Sequence, residues 1–449
     1  MATASSAARP TVKDGAYAWY VVGMLTLAYA VGFIDRQILN LLVEPIKLDM
    51  TLSDTQISLL QGFAFTVAYV MMGPFFGRWI DIGNRRNILF VGVALWSLFT
   101  VLCGLSREYW QLFGARMGVG GAEACLLPAA WSILSDYFSK KKLPRAMSFL
   151  LMGPYLGGGL ALIFGGLVLG AVAATGTTSL PLFGALAPWQ IAFVAVGVPG
   201  FAVALLMLTI REPARAGTAG AAPSAKADAR TFTLREIAAF LWSKRGFYGA
   251  FYGGMSLHVI VLYALPAWVP AFLVRRFDMT PAAVGIEYGT LVLIVGSIGV
   301  LAGPYAGRFI ERRGFADAPF RTPALAALGV VPFAAALPFC DTYATAMAVI
   351  AGATFFYSLP MAMAASALQI VTPNRMRGLV SSFYVFTVSV VGLGLAPTVI
   401  AAITDFVFGD PSMVGWSLAV VCAGAGLAAS ILMFRGLKAF RAAAAELEA

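Results

Sequence analysis

Apolar residues run through this chain in long blocks, not in alternation. Blocks of about 20 residues, the length that crosses a bilayer as a helix, recur along it. They fall at 17–41, 54–79, 87–105, 109–138, 144–174, 185–210, 246–274, 281–309, 322–340, 343–372, 377–404 and 413–435. The pattern predicts an all-α membrane protein with twelve transmembrane helices. One long polar interruption splits the series into two sets of six. The expected domains are an N-terminal tail (1–16), a six-helix bundle (17–210), a linker (211–245), a second six-helix bundle (246–435) and a tail (436–449). Residues 211–232 are rich in Ala, Gly and Pro and read as flexible. Thr233-Leu-Arg-Glu236 has the form of a capping box. It opens a short amphipathic helix with Leu234, Ile237 and Leu241 on one face. That helix lies on the inner membrane surface or serves as a linker without lipid contact; both readings stand.

An even number of spans places both termini on one side, and the positive residues choose that side. Of the 31 Lys and Arg, 25 fall on the side of the termini, including Arg85, Arg86, Lys140, Lys141, Lys142, Arg312, Arg313 and Arg375. Lys47, Arg107, Arg275 and Arg276 fall on the other. This asymmetry predicts cytoplasmic termini. It also explains the net charge of +10 by insertion, so no nucleic-acid partner is expected.

Composition agrees. The chain has 449 residues, of which 60% are apolar and 12% charged, against about 25% charged in soluble domains. Cys103, Cys125, Cys340 and Cys422 all lie in apolar runs and suggest no disulfide framework. Residues 1–16 are polar, so no separate signal peptide is expected, and the first span inserts and stays.

Two spans carry charges where a charge costs at least ~2.5 kcal/mol. The fourth contains Arg116 and Glu123, two turns apart on one face. The glycines at 118, 120 and 121 let a neighbouring helix approach closely. The first contains Asp35 and Arg36. At 1.5 Å per residue, Asp35, Arg36 and Arg116 share a depth in the outer membrane, and Glu123 lies about 10 Å deeper. The expected bonds are Asp35 with Arg116, and Arg36 with Glu123 or with substrate. Asp35 and Glu123 are thus candidate proton-coupling carboxylates, with Arg116 and Arg36 as counter-ions. The alternative is a static network holding the first helix to the fourth.

His258 is the only histidine. It reads either as a satisfied core residue or as a polar cavity contact and secondary proton site. Glu287, near the outer surface, reads as a snorkelling residue. Tyr357 and Met361, in the run Phe355-Phe-Tyr-Ser-Leu-Pro-Met361, read as core or as a greasy ligand surface. No cofactor or metal is expected, and no Gly-x-x-x-x-Gly-Lys-[Ser/Thr] stretch offers ATP drive.

The chain repeats itself. Asp49-Met-Thr51 precedes the second span, and Asp278-Met-Thr280 the eighth. Gly73-Pro-Phe-Phe-Gly77-Arg-Trp-Ile-Asp81 closes the second, and Gly303-Pro-Tyr-Ala-Gly307-Arg-Phe-Ile-Glu311 the eighth. Two homologous halves are a transporter plan, with a binding site expected between them near the midplane.

The stretch Gly77-Arg-Trp-Ile-Asp81-Ile-Gly-Asn84-Arg85-Arg86 resembles the signature between helices 2 and 3 of the major facilitator superfamily, with Asn84 where that family usually has Gly. The Asn form is similar to the spinster branch of lysolipid and sphingolipid transporters. So are Phe33-Ile-Asp35-Arg36, Arg116-x-Gly118-x-Gly120-x-x-Glu123-Ala124, Asp136-Tyr-Phe and, loosely, Gly153-Pro-Tyr-Leu-Gly-Gly-Gly159. The resemblance implies that Gly77, Asp81, Arg85 and Arg86 latch the cytoplasmic ends of the halves when the carrier faces outward. Gly307, Glu311 and Arg312 would be the second copy. The alternative is that these charges only anchor the topology.

The resulting expectation is a proton-coupled secondary transporter in a bacterial inner membrane, monomeric and surrounded by membrane lipids. It would move an amphiphilic lipid by alternating access. One wall of its cavity is charged and the other rich in Phe, Tyr and Met. A carrier of small organic anions or drugs is the alternative within transport. A passive scramblase would leave Asp35 and Glu123 unexplained. An integral-membrane enzyme would need a ligand or nucleophile cluster that one histidine does not supply.

Overall fold

The computed structural model describes residues 14–139, 142–175, 178–180, 184–213, 234–373 and 376–448. Lys140, Lys141, Arg375, Thr233 and most of the N-terminal tail and linker lie outside them.

Among the described residues, twelve helices are long and apolar enough to cross a membrane. They are α1 (Ala16–Leu41), α2 (Asp54–Ile82), α3 (Arg85–Leu105), α4 (Tyr109–Tyr137), α5 (Arg145–Ala174) and α6 (Pro188–Met207). The second set is α7 (Arg245–Phe277), α8 (Pro281–Arg312), α9 (Ala318–Phe339), α10 (Tyr343–Ile370), α11 (Phe383–Phe408) and α12 (Pro411–Glu446). Every expected span is present. The sixth starts at Pro188, three residues later than the apolar run implies. An antiparallel pair, Thr178–Leu180 with Gly184–Leu186, takes up the residues before it. The final helix continues to Glu446, past the expected 435.

Local chemistry starts the helices. Ser53 and Gln56 form a capping box ahead of α2. The Asn84 side chain accepts from the Asn87 N–H at 3.0 Å and caps α3, a bond that glycine at this position has no side chain to make. Thr280 caps α8, with Pro281 in its first turn. The left-handed residues before the two equivalent caps are Thr51 and Asp278. The repeated Asp-Met-Thr letters are therefore out of structural register, although the Gly-Pro-x-x-Gly segments correspond.

The halves meet along α1–α7, α2–α11 and α5–α8. Glycines bring backbones together there. A Cβ on Gly62 would lie 2.3 Å from the Leu393 carbonyl, and one on Gly285 2.5 Å from the Leu162 carbonyl. These contacts lie in the half of the membrane away from the termini. Toward the termini the signature helix α2 stands clear, with nothing within 4 Å of a Cβ on Gly73 or Gly77. The close glycine contacts and the polar contacts between the halves thus gather at the end away from the termini.

Candidate functional site

The four membrane charges come together. Arg36 donates from Nη2 to Glu123 Oε1 at 2.5 Å, and its guanidinium lies over the rings of Phe33 (4.5 Å), Phe65 (4.3 Å) and Tyr69 (5.8 Å). Glu123 is buried, and Gly32 leaves room for it: a Cβ there would lie 3.1 Å from Oε1. The fourth-span glycines act as expected. Gly118 lies beneath the Phe99 ring, and Gly120 faces the Phe65 carbonyl, 2.2 Å from where a Cβ would sit.

Arg116 and Asp35 do not form the expected ion pair. Arg116 is fully buried and donates to two carbonyls, from Nε to Leu60 (3.2 Å) and from Nη1 to Asp35 (3.0 Å). The cause lies in α2, which takes a π turn at Leu59–Phe63. Wide turns loosen the regular backbone ladder, and the guanidinium caps the Leu60 carbonyl there. The Asp35 carboxyl is buried and neither oxygen has a hydrogen-bond partner among the described residues. The groups around it are Glu123, the Thr100 hydroxyl and Arg116.

The opposing wall is phenolic. Tyr263 of α7 lies close to the Arg36–Glu123 pair. Tyr155 of α5 faces Tyr357, Tyr263 and Tyr384. Tyr357 is buried and Met361, one turn on, half-buried. His258 is fully buried; its Nε2 lies 3.0 Å from the Tyr357 carbonyl and ties α7 to α10. Glu287 is exposed and accepts from the Tyr343 hydroxyl at the far membrane edge.

The signature residues stay within their own halves in this state. Arg85, 1% exposed, donates to Asp136 Oδ2 (2.5 Å), Glu212 Oε1 (2.7 Å), Ser132 Oγ (2.9 Å) and the Pro213 carbonyl (2.9 Å). The Arg86 N–H donates to Glu212 Oε2 at 2.9 Å. Asp81, Glu311 and Arg312 are exposed, and Gly307 packs beneath Met363 of its own half.

Sequence reasoning missed the closure at the opposite end. Arg275 of α7 donates to Asp54 at the start of α2 and to Glu44 just after α1. Lys47 reaches the same Asp54 carboxylate. The Thr55 N–H and hydroxyl both donate to Asp405 Oδ2 of α11 at 2.7 Å, and Gln61 Nε2 donates to the Ala267 carbonyl at 3.0 Å. The available signal was Arg275 itself, an arginine on the side that otherwise carries few positive charges.

Two six-helix bundles, tied together by polar contacts at the end away from the termini, have the architecture of a membrane transporter. The chain belongs to the Major Facilitator Superfamily, which it matches over residues 25–397, and within it is spinster-like. An MFS-type efflux pump of Mycolicibacterium smegmatis is 29% identical over 297 residues, covering 66% of this chain and 63% of that protein. Protein spinster of Drosophila melanogaster is 24% identical over 404 residues, covering 86% of this chain and 62% of that protein. The chain thus spans less than two thirds of the length of these relatives. A solved bacterial homolog of the human lysosomal transporter Spinster, inward-facing and unoccupied, superposes with a TM-score of 0.77 at 25% identity over 96% of this chain and 98% of that one. The fold and the relatives are those of transporters, not of enzymes.

Proposed function

We propose that the protein is a proton-coupled carrier of an amphiphilic lipid with an anionic or zwitterionic head. It acts as a monomer in a bacterial inner membrane with both termini in the cytoplasm. The observation that carries this reading is the Arg36–Glu123 ion pair, buried in the membrane beside a phenolic and aliphatic wall. A buried charge is costly without its partner. Protonation of Glu123 removes that partner and frees the Arg36 guanidinium, which suits bidentate contact with a phosphate or carboxylate. Asp35, buried beside Arg116, is the second proton site. Tyr357, Met361 and, behind them, His258 shape the greasy wall for an acyl tail. The positive residues favour cytoplasmic termini, so the end where the halves are tied together faces outward and the carrier rests open to the inside. In the outward-facing state Gly77, Asp81, Arg85 and Arg86, with Gly307, Glu311 and Arg312, latch the cytoplasmic ends.

Transport into liposomes tests this, with lysophospholipids and tail-less analogues of the same headgroup, with and without an imposed proton gradient. The proposal expects uptake that needs both the tail and the gradient. Equal transport of the tail-less analogues would replace it with a small-organic-anion carrier.

A further inference from the structure

The end of α8 on the side of the termini carries a groove of 310 Å³ lined by Tyr305, Arg308, Phe309 and Arg312. These four lie on one helical stripe, opposite the Gly299, Gly303 and Gly307 face that packs on α10. The stripe begins higher in the membrane with Ile294, Ile298 and Leu301, all more than half exposed. Tyr305 and Phe309 continue it at 67% and 56% exposure. The Arg308 guanidinium stacks on Tyr305 at 4.6 Å, and that of Arg313 on Phe309 at 4.3 Å. Arg308, Arg312 and Arg313 form no ion pair among the described residues.

Three guanidiniums within two turns outnumber the one carboxylate among them, Glu311, and an anion placed between them offsets the remaining repulsion. Tyr305 lies about 10 Å from the end of the span, at the depth where aromatic rings meet headgroups. The apolar stripe above the groove faces acyl chains, and the arginines below it face the polar layer. Clusters of arginine at such an edge attract anionic lipid. We propose that this groove binds the phosphodiester headgroup of an anionic phospholipid from the leaflet on the side of the termini. Arg308 and Arg312 hold the phosphate, while Tyr305 and Phe309 lie along the glycerol and the first methylenes. The site lies away from the Arg36–Glu123 pair and shares only Arg312 with the proposed latch, so its readout is lipid retention and not transport.

Native mass spectrometry of the full-length protein, delipidated in detergent and given equal phosphatidylglycerol and phosphatidylcholine, tests it. Wild type should retain phosphatidylglycerol in preference, on the order of tenfold. Arg308→Gln with Arg312→Gln should abolish the preference. Arg308→Lys with Arg312→Lys, which keeps the charge and favours folding, should weaken it several-fold. No preference in the wild type, or an unchanged preference in either double variant, overturns the proposal. Protection by inorganic phosphate equal to that by the lipid would also overturn it, because the site would then take a free anion.

Discussion

Arg275 and Asp54 meet as a two-point ion pair across the halves, Nη1 to Oδ2 and Nη2 to Oδ1, both at 2.7 Å. Asp54 is fully buried and Arg275 is 8% exposed. Such parallel bonds fix direction as well as distance. They hold α7 against the start of α2, and Glu44 adds the end of α1.

Asp54→Asn should therefore open the end away from the termini. Breaking a buried pair costs about 3 kcal/mol or more, and Glu44 retains part of the hold. Distances between spin labels on the α1–α2 and α7–α8 connections should lengthen. Glu44→Gln should do less, since Glu44 is the more exposed partner. Unchanged distances in Asp54→Asn would show that the glycine contacts alone keep this end shut.

Gly62→Ala and Gly120→Ala separate closure from folding. Each new methyl would meet a backbone carbonyl, 2.3 Å away at Gly62 and 2.2 Å at Gly120. Overpacking of this kind costs about 1–3 kcal/mol. The carbonyl facing Gly62 belongs to α11 in the other half, so that variant should shift the carrier toward opening with little loss of melting temperature. The carbonyl facing Gly120 belongs to α2 in the same half, so that variant should melt earlier. Equal melting losses would refute the distinction.

Glu123→Gln mimics the protonated carboxyl and leaves Arg36 without its counter-charge. The balance between the two access states should then lose its dependence on pH, and Asp35→Asn should weaken that dependence. Label distances followed across a pH series report this directly. A wild-type response in both variants would move the proton site to His258 or Glu287.

Arg85→Lys should lower the melting temperature markedly. One ammonium cannot reproduce a fork that reaches Asp136, Glu212, Ser132 and Pro213 together. Losing part of a buried charged network costs about 3 kcal/mol. A melting curve like that of wild type would mean that water or Arg86 takes over these acceptors.

The spans are legible in the sequence because hydrocarbon imposes one requirement, some 20 apolar residues whose backbone satisfies itself. The Arg36–Glu123 contact is legible as one of two options, because a guanidinium in the membrane needs an anion and Glu123 is the carboxylate of α4, although depth alone sets the two about 10 Å apart. Depth does not give azimuth. Arg116 turns from the Asp35 carboxyl toward the Leu60 carbonyl because of a wide turn in a third helix, which no pattern of letters announces. Arg275–Asp54 escapes for a different reason. Asp54 reads as a first-turn helix residue and Arg275 as an edge anchor, and only the tertiary fold brings them together over 221 positions.

The π turns at Leu59–Phe63 in α2, Val292–Gly296 in α8, and Ser389–Leu395 and Ile403–Phe408 in α11 lie in helices at the contact between the halves. A π turn holds one residue more than the α turn it replaces. Everything beyond it is therefore rotated by roughly 100° relative to an unbroken α-helix. A relative that keeps the same lining residues but winds one of these turns as plain α must lack one residue there. Its alignment with this chain needs a one-residue gap in mid-membrane, where gaps are ordinarily forbidden. An alignment that refuses the gap would put lipid-facing residues opposite cavity-facing ones for the rest of that helix.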